Sequence, residues 1–137
     1  MSVIKEKKFT VSSVIENGDG EPSEKSESEV FGTLKISEDS YGISYTEEGE
    51  GVSVKTFITV NADGVRVKRL GGIESDMQFK VGVAHASLYK IPPYSFDAEV
   101  TCEKICSDMR DSVGSLYILY TLKIGGAEKR VEMKITY

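Results

Sequence analysis

The residues of this sequence that could do chemistry are few. They are one histidine, His85, two cysteines, Cys102 and Cys106, and a handful of polar side chains that fall on apolar alternations. Arg69 is the sharpest case. It shares its parity with Val65 and Val67, so on an extended strand its guanidinium points to the side those valines cover. A lone charge there is expensive, so it must meet a carboxylate, line a wet cavity or reach a rim. His85 alternates with Val83, Ser87 and Tyr89, Met77 with Phe79 and Val81, and Tyr45 and Tyr120 stand on similar apolar faces. Converging in one enclosed space, these six would make a small-molecule site. Arg69 would be the charge partner, His85 an orienting polar group, and Tyr45, Tyr120, Tyr89 and Met77 the walls. The plainer structural account is an ion-paired or snorkelling arginine at a barrel end, a hydrogen-bonded wall histidine and packed tyrosines.

The inventory removes most catalytic templates. One histidine forbids a multi-histidine metal site and makes any Ser-His-Asp or Cys-His triad rest on a single residue. Cys102 and Cys106 on one strand would have Cα atoms ~13 Å apart, beyond disulfide reach, and two sulfurs without a second pair hold no zinc. They read as free thiols of a reducing compartment, one of them packed in the core. No phosphate-binding Gly-x-x-x-x-Gly-Lys loop exists, and Gly18-Asp19-Gly20 is followed by Ser23 where a dinucleotide loop needs glycine. The same loop looks like a calcium hand through Asn17, Asp19 and Gly20. Ile15 and Ser26 then occupy its first and last ligand positions, which leaves it without charged ends. Glu47 and Glu48 pair carboxylates in a solvated turn, where nothing raises a pKa. No catalytic residue, metal or cofactor is therefore expected, and a haem held by His85 is the weak variant of ligand binding.

The elements that must position these residues have a period of two. Phe9, Val11 and Ile15 alternate with polar residues, as do Val30, Leu34 and Ile36, then Tyr41, Ile43 and Tyr45. Val52, Val54, Thr56, Ile58 and Val60 form a long run. Further runs are Val65 to Val67, Met77 to Val81, Phe96 to Cys102, Leu116 to Ile124 and Val131 to Tyr137. Each reads as a half-buried antiparallel strand. Between them lie Asn17 to Gly20, Glu38-Asp39-Ser40, Glu47 to Gly51, Asn61 to Gly64, Gly71-Gly72 and Gly125-Gly126, which suit tight turns. Pro92-Pro93 marks a corner or an edge. Residues 17–29 read as a loop running into a strand, and Ser107 to Asp111 is the one place for a helical turn. At 137 residues this is one domain, 1–137. About eight to ten strands with short links predict an all-β, single antiparallel up-and-down barrel, in which closure removes exposed edges.

Charge bounds the partners. The net charge is −5, and residues 16–50 carry eleven acidic against two basic residues. An acidic chain disfavours nucleic acid, whose phosphates want a basic face. No run approaches the ~18 apolar residues of a membrane helix, and the start lacks the apolar core of a secretory signal. Neither nucleic acid nor membrane is expected as a partner, and the expected location is cytoplasmic.

From Gly32-Thr33 onward the order of features resembles the YwiB-like family of uncharacterised bacterial proteins. The resemblance rests on Ile43-Ser44-Tyr45-Thr46-Glu47, Val54-Lys55-Thr56 before the Asp63-Gly64 turn, Arg69 close to Gly71, and Met77-Gln78-Phe79. Gly82, Tyr89, Pro92, Leu116-Tyr117 and Tyr120 complete it. It spans roughly residues 3–137. Ile91-Pro92-Pro93-Tyr94 departs from the family's Thr-Pro-x-Gly turn, and the chain has no tryptophan for the Gly-x-Trp strand of true lipocalins. The resemblance implies a calycin-like, lipocalin-like β-barrel and no mechanism. Three function classes follow. The first is non-catalytic binding of a small amphipathic or anionic molecule in the lumen. The second is an interaction or assembly module with a filled core, working through the acidic 16–50 region or an edge strand, for instance as a homodimer. An enzyme built on His85 ranks last.

Overall fold

A computed structural model of the chain describes residues 2–17 and 23–137. Ten strands follow one another: β1 (Val3–Asn17), β2 (Glu24–Ile36), β3 (Ser40–Gly49), β4 (Val52–Asn61), β5 (Gly64–Gly71), β6 (Ser75–Phe79), β7 (Ala84–Ile91), β8 (Tyr94–Met109), β9 (Gly114–Ile124) and β10 (Ala127–Thr136). Among the described residues there is no helix. Each strand pairs antiparallel with its neighbour in sequence, β6 and β7 excepted, and β1 pairs with β10, so the order runs β6-β5-β4-β3-β2-β1-β10-β9-β8-β7. Hairpin links allow nothing else at this economy of chain.

The remaining gap, between β6 and β7, is bridged rather than laddered. Glu74 and Lys90 each donate a backbone N–H to the other's carbonyl at 2.8 Å. The Ser87 hydroxyl donates to the Asp76 carbonyl at 2.9 Å, and Gly82 N–H to the Cys102 carbonyl at 2.9 Å. The result is a nearly closed ten-stranded barrel.

The alternation read from the sequence decides which side chains go inside. Phe9, Leu34, Ile43, Ile58, Val67, Val100, Leu116, Ile118 and Ile135 are fully buried, and they meet in one core. The Phe9 ring lies edge-on to Tyr137 at 5.6 Å between centroids and tilted against Tyr45 at 6.4 Å. Burying each large apolar side chain contributes about 1.5–3 kcal/mol, and this filled interior holds the barrel together.

Turns fall where glycine and asparagine put them. Asn61 to Gly64 joins β4 to β5, Gly125-Gly126 joins β9 to β10, and Pro92-Pro93 forms the β7–β8 corner. Gly71 closes β5 with φ of 113°, and a Cβ there would stand 2.2 Å from the Ser53 carbonyl oxygen. Only glycine fits that position. The turn expected at Asn17 to Gly20, and with it the calcium-hand likeness, lies largely outside the described residues. The biased segment 17–29 is already strand from Glu24.

One element differs from expectation. Ser107 to Asp111 is not helical, because β8 continues to Met109 through a β-bulge between Cys102 and Lys104. The extra residue flips the alternation. Before it Ala98, Val100 and Cys102 face in; after it Ile105 and Met109 do. Cys102 is therefore buried and Cys106 exposed, both as free thiols.

Candidate functional site

One row of side chains crosses the inner wall near the end of the barrel that carries the β3–β4, β5–β6 and β7–β8 turns. Strand register lines it up. Gly32 on β2 stands opposite Tyr45 on β3, Tyr45 opposite Thr56 on β4, Thr56 opposite Arg69 on β5, and Arg69 opposite Ser75 on β6. The Glu74–Lys90 bridge sets Tyr89 next to Ser75, and Tyr89 pairs with Phe96 on β8. Gly32 is needed where the row begins, since a Cβ would sit 2.1 Å from the Ser44 carbonyl oxygen and 2.9 Å from the Tyr45 Cβ. Its missing side chain lets β2 and β3 close up beneath Tyr45.

The two hydroxyls beside Arg69 are the unusual feature. Thr56 is 0% exposed and Ser75 6%, and among the described residues neither Thr56 Oγ1 nor Ser75 Oγ has a hydrogen-bond partner. Thr56 lies near enough to the Tyr45 phenol to hold its pKa down slightly, but the two oxygens do not meet in hydrogen-bonding geometry. A buried hydroxyl without a partner costs about 1–3 kcal/mol. Arg69 itself is half-buried and, among the described residues, makes no ion pair or hydrogen bond. Glu47 shares Tyr45's face two residues further along β3, exposed at the rim.

Two tyrosines enclose this group. Burial pushes the Tyr45 phenol above its usual pKa; Arg69 opposes the rise, and Glu47 adds to it. Tyr120 reaches in from β9, its ring 4.7 Å from Phe79. Burial raises its pKa too, again opposed by Arg69, with Tyr89 adding to the rise. Both phenols are therefore neutral near neutral pH and able to donate hydrogen bonds. The row offers a guanidinium, two aliphatic hydroxyls and two phenols converging from five strands. Such a set can hold an anion by charge and hydrogen bonds.

Four of the six residues singled out in the sequence, Arg69, Tyr45, Tyr120 and Tyr89, are thus brought together. Met77, opposite Val67, lies one step below them, 2% exposed in the packed core. His85 is set apart. It stands four residues from Tyr89 along β7, roughly 13 Å toward the other end of the barrel. There it is half-buried and borders a surface cleft of about 390 Å³ with Arg66, Gln78 and Lys80. Among the described residues no cluster of three or more His, Cys, Asp or Glu gathers as metal ligands would.

Sequence reasoning missed Thr56 and Ser75 as site residues. Thr56 was visible as the one polar residue on the inward parity of Val52 to Val60. Ser75 follows Gly71-Gly72-Ile73-Glu74 and has no periodicity to betray it; only the register against Arg69 finds it.

Known proteins place the fold in a family. The model of a domain of unknown function, DUF1934, matches residues 9–135. The chain belongs to the DUF1934 family. The Bacillus subtilis (strain 168) protein described as uncharacterized β-barrel protein YwiB is 29% identical over 128 residues, 93% of this chain and 89% of that one. The crystal structure of the B. subtilis YwiB protein superposes with a TM-score of 0.79 at 25% identity, covering 96% of this chain and 93% of that one. The chain therefore has the antiparallel β-barrel expected from its sequence. Neither description of YwiB states an activity.

Proposed function

We propose that this barrel binds a small amphipathic or anionic molecule, without catalysis, at the end of the barrel where Arg69 sits. Arg69 is the charge partner, Thr56 and Ser75 supply hydroxyls, and Tyr45 and Tyr120 form the walls. The observation that carries this reading is the pair of orphaned buried hydroxyls on either side of an arginine that has no carboxylate among the described residues. A bound oxyanion would satisfy all three at once. On this reading the site is the polar end of a packed barrel.

Native mass spectrometry of freshly purified protein tests it. The expected result is an added small-molecule mass that Arg69→Ala loses while the variant stays folded and soluble. An Arg69→Ala protein carrying the same species at the same occupancy removes the charge-partner role. The filled core keeps a second reading in view, an assembly module working through the acidic 16–50 region. Cross-linked oligomers together with a ligand-free mass spectrum favour that reading instead.

A further inference from the structure

The row that carries Arg69 does not stop at Ser75. It continues onto the β7–β8 hairpin, where its character changes from polar to aromatic. Tyr89 pairs with Phe96, and Ile91 with Tyr94. Alternation puts all four on one face. Tyr94 and Phe96 share parity with buried Ala98, Val100 and Cys102, and Tyr89 and Ile91 share parity with half-buried Ser87. That face is the inner one, and Tyr89 packs on the core. Beyond Tyr89 the hairpin outruns the barrel and nothing among the described residues covers it. Ile91 is 45% exposed, Tyr94 66% and Phe96 39%. Val52, on the inward parity of β4 at the same end, is 48% exposed. Large apolar side chains aimed inward yet left open to water mark a place where something apolar fits.

Charge and shape name the occupant together. From Arg69 on β5 to Phe96 on β8 is three strand spacings, roughly 14 Å along the wall. That is the reach of a medium-chain alkyl group. We infer that the ligand is a single-chain amphiphile, its carboxylate seated at Arg69, Thr56 and Ser75 and its hydrocarbon tail laid along Tyr89, Phe96, Tyr94 and Ile91. This inference rests on the anion reading of Arg69 proposed above and adds the chemical class and the direction of the ligand. The seam favours that direction, since β6 and β7 are joined by one backbone bridge and leave the hairpin to form a wall of its own. A short carboxylate would use the polar half of the row only.

Isothermal titration with acetate, octanoate and decanoate tests it, with decanol as the uncharged control. Affinity is expected to rise about fourfold for each methylene buried, and decanol is expected to bind far more weakly than decanoate. Phe96→Ser and Tyr94→Ser remove the lip at exposed positions. Each should flatten the chain-length dependence and leave acetate binding unchanged. If acetate, octanoate and decanoate bind equally and Arg69→Ala abolishes all three, the tail assignment fails and the anion site stands. If none binds, the anion site fails and the tail assignment with it. Chain-length dependence that survives both serine variants puts the tail elsewhere and overturns the inference. So does a dimer that Tyr94→Ser splits, with no chain-length dependence, which assigns the lip to a second copy of this chain.

Discussion

Replacing Thr56 by valine tests whether the site is held ready at the expense of stability. Thr56→Val keeps the branched shape and the γ-methyl group and exchanges only the hydroxyl, which is fully buried and has no partner among the described residues. In an ordinary core the exchange destabilises, because a bonded hydroxyl is lost. Here the sign should reverse. Removing an unsatisfied group recovers part of its desolvation cost of about 1–3 kcal/mol. For a chain of this length about 1–2 kcal/mol corresponds to a melting point higher by roughly 3–8 °C. Urea unfolding is the better assay, since a higher midpoint at an unchanged slope reports native-state stability alone. Ser75→Ala should act in the same direction and less strongly, because it leaves a small void. The two effects need not add, as both side chains border Arg69. Binding should move the other way, with either variant weakening an anion that Arg69 still attracts. A lower urea midpoint for Thr56→Val would refute the reasoning, for it would mean the hydroxyl is bonded in solution. The neighbouring Tyr45 phenol would then be the partner, and in a Tyr45→Phe background, where the hydroxyl loses that partner, Thr56→Val should raise the midpoint.

Other expectations follow from the same geometry. With seven tyrosines and no tryptophan, tyrosinate absorbance follows the phenols, and Tyr45 and Tyr120 should ionise above the ordinary phenol range because burial disfavours the phenolate. Their folded-state pKa values are raised, so the stability linked to them is intact below about pH 10 and is lost as pH rises through the folded values. Tyr45→Phe or Tyr120→Phe should each delete one late-titrating group. Asp76 behaves oppositely: hydrogen bonds from Arg66 hold its carboxyl below the usual range, so its contribution is present above about pH 4 and lost as pH falls through the lowered value. Asp76→Asn should flatten the acid limb of a pH–stability curve, modestly, because the pair is exposed. Gly32→Ala drives a Cβ against the Ser44 carbonyl and should cost about 1–3 kcal/mol by overpacking, read as a lower urea midpoint.

Most of the barrel was legible because the alternation of its strands is nearly unbroken. Leu116, Ile118 and Tyr120 on β9 and Val131, Met133 and Ile135 on β10 announce a half-buried hairpin, and both strands appear, paired as expected. The bulge was not legible. Nothing in Cys102-Glu103-Lys104 requires an extra residue; it is set by how Tyr120 and Leu119 face β8, a fact of pairing rather than of local sequence. The site divides in the same way. Arg69, Tyr45 and Tyr120 could be named from parity, since parity says which wall a side chain faces. Whether two wall residues meet depends on the stagger between strands, which parity does not carry. His85 shares the inward parity of Tyr89 and still lies with Arg66 and Lys80, a strand's length from Arg69.

That stagger is also why the polar residues of this end make more sense together than apart. Any one of them has an ordinary structural account. A half-buried arginine can snorkel to a rim, a buried threonine can bond a carbonyl, and a buried tyrosine can simply pack. Among the described residues the Thr56 and Ser75 hydroxyls have no partner and Arg69 has no carboxylate, although Glu47 stands exposed on a neighbouring inward-facing position. A row meant only to fill space would be more stable with valine at 56 and alanine at 75, apolar like the inner wall around them. Three polar groups unmet among the described residues stand on three adjacent strands, in register, beside an apolar lip, and the proposed ligand would meet all of them at once.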